Sequence, residues 1–187
     1  MAQEIWLIRH GETAWSLTGQ HTGRTDLPLT PTGELEALSL SRQLAGEQFE
    51  LVLCSPLERA RRTCEIAGFL PQAVLDPACQ EWDYGDLNGI TRTDYVATHP
   101  GWNIWDGPVP NGETLLQVAT RAAGVLERIA ATPGRAAIFS HGHFLRILTA
   151  TYLGLPPSAA KGFALATARV SLLGLDSIYP AILRWNL

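Results

Sequence analysis

Short apolar runs, each ended by glycine, proline or polar residues, recur along the chain. Runs with such boundaries are typical of buried strands. The pattern predicts six strands, at Glu4–Arg9, Leu51–Cys54, Ala73–Leu75, Ala136–Ser140, Val170–Leu175 and Ala181–Trp185.

Helical patterns lie between these runs. One helix begins at Thr30 and Pro31, because threonine caps helix N-termini and proline is tolerated in the first turn. We expect Leu35, Leu38 and Leu44 to give this helix one apolar face. Further helices are predicted from Glu58 to about Leu70, near Thr93–Thr98, and over Thr114–Ala131 and Phe144–Leu153.

Strands that alternate with helices predict an α/β fold, here a three-layer sandwich with a mainly parallel central sheet flanked by helices. Residues 76–112 are rich in glycine, proline, tryptophan and aspartate, which predicts a small loop-rich cap or insertion. The chain contains no internal repeat and no linker, so we expect a single domain over residues 1–187.

The ends of two predicted strands carry histidines, at Arg9-His10 and at Ser140-His141. Ligands of α/β sheets bind beyond the carboxyl ends of the strands. Placement alone therefore makes this edge of the sheet the candidate site.

Composition narrows the class of protein. With 46% hydrophobic and 17% charged residues over 187 residues, the chain is globular, and its net charge of −4 gives no support to a nucleic-acid or anionic-membrane partner. We expect a cytoplasmic protein, because there is neither a membrane-spanning run nor a secretory signal pattern. The three cysteines lack CxxC spacing, which argues against a disulfide framework or a zinc knuckle.

His10 is the first candidate for chemistry. It follows Arg9 and precedes Gly11 at a point where a buried strand must turn. A neutral imidazole is a competent nucleophile when a backbone carbonyl holds its other nitrogen, and an adjacent arginine neutralises an approaching phosphate. Only one of the fourteen basic residues is a lysine, so arginine identity alone does not mark a phosphate ligand.

The segment His141-Gly142-His143 allows two readings. HxH spacing can chelate zinc, with His10 as a third ligand, although no carboxylate lies near at ligand spacing. We favour a catalytic role for His141 and a packing or capping role for His143. A strand-to-helix junction at Gly142 should also place free backbone N–H groups near a bound anion.

Two further segments are candidates. Arg59 and Thr63 lie at helical spacing from Ser55, so this face could look into the same cleft as His10. Glu81 lies among aromatic residues, where desolvation favours the protonated carboxyl that a leaving alcohol requires. The chain lacks a P-loop and a GxSxG elbow, which removes the usual marks of nucleotide triphosphate binding and serine hydrolysis.

Six motifs resemble those of the histidine phosphatase superfamily, which contains the cofactor-dependent phosphoglycerate mutases, and they occur in the family order. They are Leu7–Thr13, Gly23–Thr30, Ser55–Ala60, Glu81–Gly85, Asn111–Thr114 and Ser140–His143. The resemblance implies the phosphoglycerate mutase-like fold. It also implies His10 as nucleophile, Glu81 as proton donor, and Arg9, Arg59 and His141 as ligands of the phosphoryl oxygens, with no metal or cofactor.

Three stretches look like the sedoheptulose-1,7-bisphosphatase-type branch, namely Trp15–Gly23, Glu81–Asp86 and Trp102–Trp105. Ser16 departs from the asparagine of mutases. The resemblance implies that the substrate is a small phosphate ester, in particular a sugar phosphate or bisphosphate. It implies a substrate site formed by Gly11, Ser16, Thr22, Gly23, Tyr84 and Gly142, with Arg92 or Arg146 near a second phosphate.

Two alternatives remain open. A 2,3-bisphosphoglycerate-dependent phosphoglycerate mutase must enclose its intermediate, whereas here the 81–113 segment is short and no tail follows the last predicted strand. A non-catalytic domain that binds a phosphate ligand would be free to lose one of the five catalytic candidates, and all five are present. The natural substrate and the oligomeric state cannot be predicted from the sequence.

Overall fold

The computed structural model describes residues 2–187, with side chains from Glu4 onward. It has an α/β fold in which a central mixed sheet is flanked by helices. The strands are β1 (Ala2–Arg9), β2 (Leu51–Cys54), β3 (Ala73–Leu75), β4 (Gly134–Ser140), β5 (Val170–Asp176) and β6 (Tyr179–Arg184). The α-helices are α1 (Ala14–Thr18), α2 (Pro31–Gln43), α3 (Glu58–Ile66), α4 (Arg92–Thr98), α5 (Leu115–Ala130) and α6 (Gly142–Tyr152).

The strand order in the sheet is β3-β2-β4-β1-β5-β6. The pairs β3-β2, β2-β4 and β4-β1 are parallel, as the alternation of strands and helices predicts. The pairs β1-β5 and β5-β6 are antiparallel. Only Ser177 and Ile178 separate β5 from β6, with Ser177 in the left-handed conformation (φ 60°), and so short a link forms a hairpin rather than a parallel crossover.

The sheet has helices on both faces. On β1, Leu7 packs in a cluster with Val118 of α5 and Ile147 of α6, whereas the neighbouring Ile8 packs in a second cluster with Leu40 of α2. Successive side chains of a strand point to opposite faces, so β1 is buried on both sides. The result is the three-layer arrangement that the sequence predicts.

The apolar face of α2 differs from the prediction. Thr30 caps the helix by accepting from the Gly33 N–H at 3.0 Å, as expected. However, Leu35 is 67% exposed and Leu38 is 45% exposed, while Leu44 is buried. Nine residues at about 100° per residue place Leu35 opposite Leu44, so the three leucines cannot share a face. The buried positions of this helix are Gly33, Ala37 and Leu40.

Helix α3 ends at Ile66, before the predicted end near Leu70. Gly68 takes a left-handed conformation (φ 88°), which commonly terminates a helix. A short 3-10 turn over Leu70–Gln72 then leads into β3.

Residues 76–112 are mostly irregular, with 3-10 turns at Pro77–Cys79 and Gly85–Leu87 and the predicted short helix as α4. Trp82 and Trp102 of this segment are buried in the core. In the described part of the chain, no helix combines the length and apolar character needed to cross a membrane.

Candidate active site

A cavity of about 340 Å³ opens where β1 and β4 end. In the register of these strands, Arg9 pairs with Ser140, so His10 and His141 leave the sheet side by side. Arg9, His10, Arg59 and Glu81 line the polar floor of the cavity. The other lining residues are Trp15, Ser16, Gly19, Gln20, His21, Thr22, Tyr84, Arg92, Trp102, Asn103, Ile104, Trp105, Gly142, His143, Arg146 and Leu165.

His10 is held in one tautomer. Its Nδ1 atom lies 2.7 Å from the Gly11 carbonyl oxygen, and because a carbonyl only accepts, Nδ1 carries the proton and Nε2 keeps its lone pair. Burial, followed by the charges of Arg59 and Arg9, holds the pKa of His10 well below its ordinary value. The imidazole is therefore neutral at pH 7 and nucleophilic at Nε2.

Gly11 positions His10 and does not line the cavity, in contrast to the substrate-binding role that the resemblance implies. Its N–H donates to Thr63 Oγ1 at 3.1 Å, while its carbonyl receives the His10 proton. A Cβ at this position would lie 2.4 Å from the backbone oxygen of Gly33. Close packing of the loop on α2 requires glycine here.

Two guanidinium groups line the cavity together with His10. Arg59 is fully buried and donates to the carbonyl oxygens of Thr25 at 2.9 Å and Gly23 at 2.7 Å. Arg9 donates to the Leu165 carbonyl oxygen at 2.5 Å, and its buried Nε has no partner among the described residues. Both groups are fixed in place, with N–H groups left to bind an anion.

His141 lies behind Arg59 and is absent from the cavity lining, although its ring centroid is 5.2 Å from that of His10. Arg59 Nε donates to His141 Nδ1 at 3.1 Å, so His141 Nε2 carries the proton and donates to Ser55 Oγ at 2.7 Å. Both ring nitrogens are thus occupied. In this structure His141 orients Arg59, and its contact with a phosphoryl oxygen stays a prediction.

These bonds argue against the three-histidine zinc site. His141 has no ring nitrogen free for a metal, and His143 Nδ1 is hydrogen-bonded to the Tyr84 hydroxyl. Within residues 2–187, no group of three histidine, cysteine or acidic side chains is arranged to hold a metal ion. The predicted face of α3 does look into the cleft, because Arg59 lines it while Thr63 and Ser55 support His10 and His141.

Glu81 is buried at the N-terminus of α6. Its carboxylate accepts from the N–H groups of Trp82 at 2.9 Å, His143 at 3.0 Å and Phe144 at 2.8 Å. The expectation that the N–H groups after Gly142 are free for a substrate anion is therefore wrong for two of them. The positive end of the helix holds the candidate proton donor instead.

Six of the eight substrate-site candidates line the cavity, namely Ser16, Thr22, Tyr84, Arg92, Gly142 and Arg146. Gly23 does not, like Gly11. It has a left-handed conformation (φ 49°), its carbonyl accepts from Arg59, and an added Cβ would lie 2.4 Å from Asn88 Oδ1. The Ser16 hydroxyl is engaged in a capping box with Thr13.

The two arginines considered for a second phosphate differ in how firmly their side chains are held. Arg146 lies over the Trp105 ring, 4.6 Å from its centroid, and donates to the carbonyl oxygens of Ala160 and Lys161, each at 3.0 Å. Arg92 is exposed at the start of α4. Of these two arginines, Arg146 is the one whose side chain is fixed at the cavity by other residues.

Sequence reasoning missed two histidines of the cavity wall. His143, assigned above to packing, and His21 both line the cavity. His21 Nδ1 donates to the Ile90 carbonyl oxygen at 2.8 Å, which ties its loop to the cap. His21 lies within Trp15–Gly23, a stretch that carries the resemblance, but nothing in its spacing singles it out, whereas the HxH spacing marks His143 as a candidate.

The chain is similar to known proteins over most of its length. The family model described as "Histidine phosphatase superfamily (branch 1)" matches residues 5–187. An acid phosphatase of Mycobacterium tuberculosis is 38% identical over 177 residues, covering 92% of this chain and 86% of the relative. A sedoheptulose 1,7-bisphosphatase of Saccharomyces cerevisiae is 33% identical over 182 residues, covering 80% of this chain and 67% of the relative.

A solved structure from an open reading frame of Mycobacterium tuberculosis superposes with a TM-score of 0.90 at 31% identity, covering 100% of this chain and 98% of the other. Proteins named as probable phosphoglycerate mutases are also among the relatives. Because the family model spans nearly the whole chain, this protein belongs to the histidine phosphatase superfamily (branch 1) and is a phosphatase of the histidine type.

Proposed function

We propose that this protein hydrolyses a small phosphate monoester, in particular a sugar phosphate or bisphosphate, through a phosphohistidine at His10 and without a metal cofactor. The observation that carries the proposal is the 2.7 Å contact between His10 Nδ1 and the Gly11 carbonyl. This contact leaves the Nε2 lone pair of a neutral imidazole beside two guanidinium groups.

In the first step, the Nε2 lone pair of His10 attacks phosphorus and the bond from phosphorus to the ester oxygen breaks. The protonated form of Glu81, which lines the same cavity, gives its proton to the leaving oxygen. In the second step, water attacks phosphorus and gives a proton to Glu81, and the P–N bond breaks. Inorganic phosphate leaves, and both residues return to their starting states.

Arg9 and Arg59 supply the charge that this transfer needs. The equatorial oxygens of a transferring phosphoryl group carry negative charge, and fixed cations in a buried site stabilise it. Arg59 is anchored by two carbonyl oxygens and by His141, so little reorganisation accompanies the reaction. These side chains take the part that a metal ion plays in other phosphatases.

The cavity supports a leaving group of modest size. Beyond the cationic floor, its walls are formed by aromatic side chains, among them Trp15, Tyr84 and Trp105. Aromatic faces suit the C–H face of a sugar ring, and Arg146 offers a cation for a second anionic group. The name of the sedoheptulose bisphosphatase relative agrees with this class of substrate.

The test is phosphate release by the purified protein in excess EDTA. The panel contains sedoheptulose-1,7-bisphosphate, fructose-1,6-bisphosphate, 3-phosphoglycerate and p-nitrophenyl phosphate, each also measured with His10→Ala. We expect release that depends on His10 and is fastest with a sugar bisphosphate. Release that is abolished by EDTA and restored by a divalent metal would contradict the proposal.

Two other results identify the alternatives. Conversion of 3-phosphoglycerate to 2-phosphoglycerate without net phosphate release, in the presence of 2,3-bisphosphoglycerate, would indicate a mutase. Turnover that is unchanged in His10→Ala would show that His10 does not carry the reaction. Binding of phosphate esters without turnover would indicate a domain that only binds its ligand.

A further inference from the structure

His143 and Tyr84 form a hydrogen-bonded pair in the wall of the cavity. The Tyr84 hydroxyl and His143 Nδ1 are partners, and both side chains line the cavity. The imidazole lies edge-on between two rings, with its centroid 4.9 Å from Trp105 and 5.7 Å from Tyr84. Packing on these sides leaves the ring little freedom to rotate.

The direction of the proton in this pair follows from its surroundings. Burial and the nearby Glu81 carboxylate raise the pKa of Tyr84 well above its usual value, so the phenol keeps its proton. Burial and the charge of Arg146 lower the pKa of His143 well below its usual value, so the imidazole is neutral. The Tyr84 hydroxyl therefore donates to His143 Nδ1, and the single ring proton of His143 is on Nε2.

The Nε2 atom makes no hydrogen bond to any side chain or backbone group in the described part of the chain. The backbone N–H of the same residue donates to Glu81 Oε2 at 3.0 Å. The imidazole thus extends from the residue that holds the candidate proton donor. A substrate whose ester oxygen reaches Glu81 brings the next atoms of its leaving group to this donor.

We propose that His143 is a specificity-determining residue whose Nε2–H donates to an oxygen on the leaving group, with Tyr84 as the positioning residue that fixes its tautomer. The substrates favoured are phosphate esters of polyols or hydroxy acids, which carry such an oxygen close to the ester. Aryl phosphates lack it. This inference rests on the proposed function, and it adds His143 as the residue that selects among leaving groups.

The first experiment compares kcat/KM for fructose-1,6-bisphosphate and p-nitrophenyl phosphate. We expect His143→Phe to lower the ratio of the first to the second by roughly 10-fold, the value of one lost hydrogen bond. His143→Gln, which keeps an N–H donor, should recover part of the ratio. His99→Phe replaces an exposed histidine of the cap outside the cavity lining and should leave the ratio unchanged. Equal losses for both substrates in His143→Phe would overturn the proposal.

A second experiment does not depend on turnover. In a His10→Ala background, calorimetry measures binding of 3-phosphoglycerate and of inorganic phosphate with and without His143→Phe. The proposal expects weaker binding of 3-phosphoglycerate by about 10-fold, with a smaller effect on inorganic phosphate. Equal effects on both ligands would refute the role of His143, whether or not the protein is a hydrolase. If the protein shows no turnover but His143→Phe weakens binding of 3-phosphoglycerate more than binding of inorganic phosphate, only the proposed function is refuted.

The tautomer is read directly by ¹⁵N NMR of the histidine rings. We expect His143 protonated at Nε2 in the wild type and a mixture of tautomers in Tyr84→Phe, which retains the ring but loses the hydroxyl. Tyr84→Phe should also lower the substrate ratio in the same direction as His143→Phe. An Nδ1-protonated His143 in the folded wild type would contradict the assignment.

Discussion

The Nε atom of Arg59 donates a 3.1 Å hydrogen bond to Nδ1 of His141, which links the guanidinium at the cavity floor to the residue that follows β4. We expect Arg59→Ala to lower kcat by about 10²–10³-fold, as for removal of one fixed oxyanion donor. The matched control is Arg62→Ala on the same helix, whose ion pairs with Glu34 and Glu65 lie on the surface. This control should keep its activity, and equal losses in the two variants would exclude a specific role for Arg59.

The covalent step predicts a trapped intermediate. Brief mixing of the wild type with ³²P-labelled substrate, followed by alkaline denaturation, should retain label that is stable to base and labile to acid, as phosphohistidine is. His10→Ala should retain none and should lose at least about 10³-fold in kcat, as is usual for a missing nucleophile. Label that persists in His10→Ala would place the phosphoryl group elsewhere.

Removal of one cation next to His10 should raise its pKa. Arg59 lowers the pKa of His10 by charge repulsion, second only to burial. Without that charge the protonated imidazole is less disfavoured, so in Arg59→Ala the titration of His10 moves to higher pH. NMR titration of ring resonances in the wild type and the variant measures this shift. A move to lower pH, or no move, would show that Arg59 does not act on the nucleophile through its charge.

Histidines that the fold keeps neutral make folding stability depend on pH. The pKa values of His10, His141 and His143 are lowered in the fold, mainly by burial. Below about pH 6.5 the unfolded chain binds protons at these positions and the folded chain does not, so stability falls as the pH falls. Above that pH these histidines are neutral in both states, so they do not make the free energy of unfolding depend on pH. Thermal unfolding between pH 8 and pH 5 tests this.

A variant pair isolates one of these groups. His143→Gln should flatten the decline of Tm below pH 6.5, whereas His99→Gln, at an exposed position, should leave it as steep as in the wild type. An equally steep decline in His143→Gln would mean that the fold does not keep this histidine neutral.

Two glycine-to-alanine substitutions distinguish a glycine that close packing requires from one that only lowers the stability of a helix. Gly11→Ala should destabilise the fold and reduce activity, because the new Cβ would lie 2.4 Å from the Gly33 backbone oxygen. Gly124 lies inside α5 with no neighbour within 4 Å of an added Cβ. Gly124→Ala should therefore raise the free energy of unfolding by about 0.5–1 kcal/mol. Denaturant unfolding measures both, and a neutral Gly11→Ala would contradict the packing account.

Much of the fold was predictable because local signals and tertiary structure agree. Thr30, Pro31 and Thr114 mark helix starts by their own chemistry, and short apolar runs bounded by turn residues favour buried strands. The face of α2 was not predictable from leucine positions alone. There, Gly33, Ala37 and Leu40 are the buried positions, and Gly33 packs against the backbone of the loop at Gly11 and Glu12, which leaves Leu35 and Leu38 exposed.

The site was predictable where residues lie at strand ends or in ordered motifs, as for His10, Arg59 and Glu81. Hydrogen-bond partners were not predictable, because they depend on which groups meet across the fold. The N–H groups after Gly142 were expected to face a substrate, yet Glu81, far away in sequence, accepts them. His141 was likewise expected at the phosphoryl oxygens, yet both of its ring nitrogens bond to one distant segment, which contains Ser55 and Arg59.

The two segments that form much of the cavity wall are tied to each other. The His21 N–H donates to the Ile90 carbonyl at 3.1 Å, the Gly89 N–H donates to the His21 carbonyl at 2.8 Å, and Gln20 pairs with Thr91. A redesign of the substrate range should therefore replace residues 14–22 and 85–105 together. Exchanging either segment alone would leave backbone donors of the other without their acceptors, whereas exchanging both replaces neither Arg9 and His10 at the end of β1 nor Glu81.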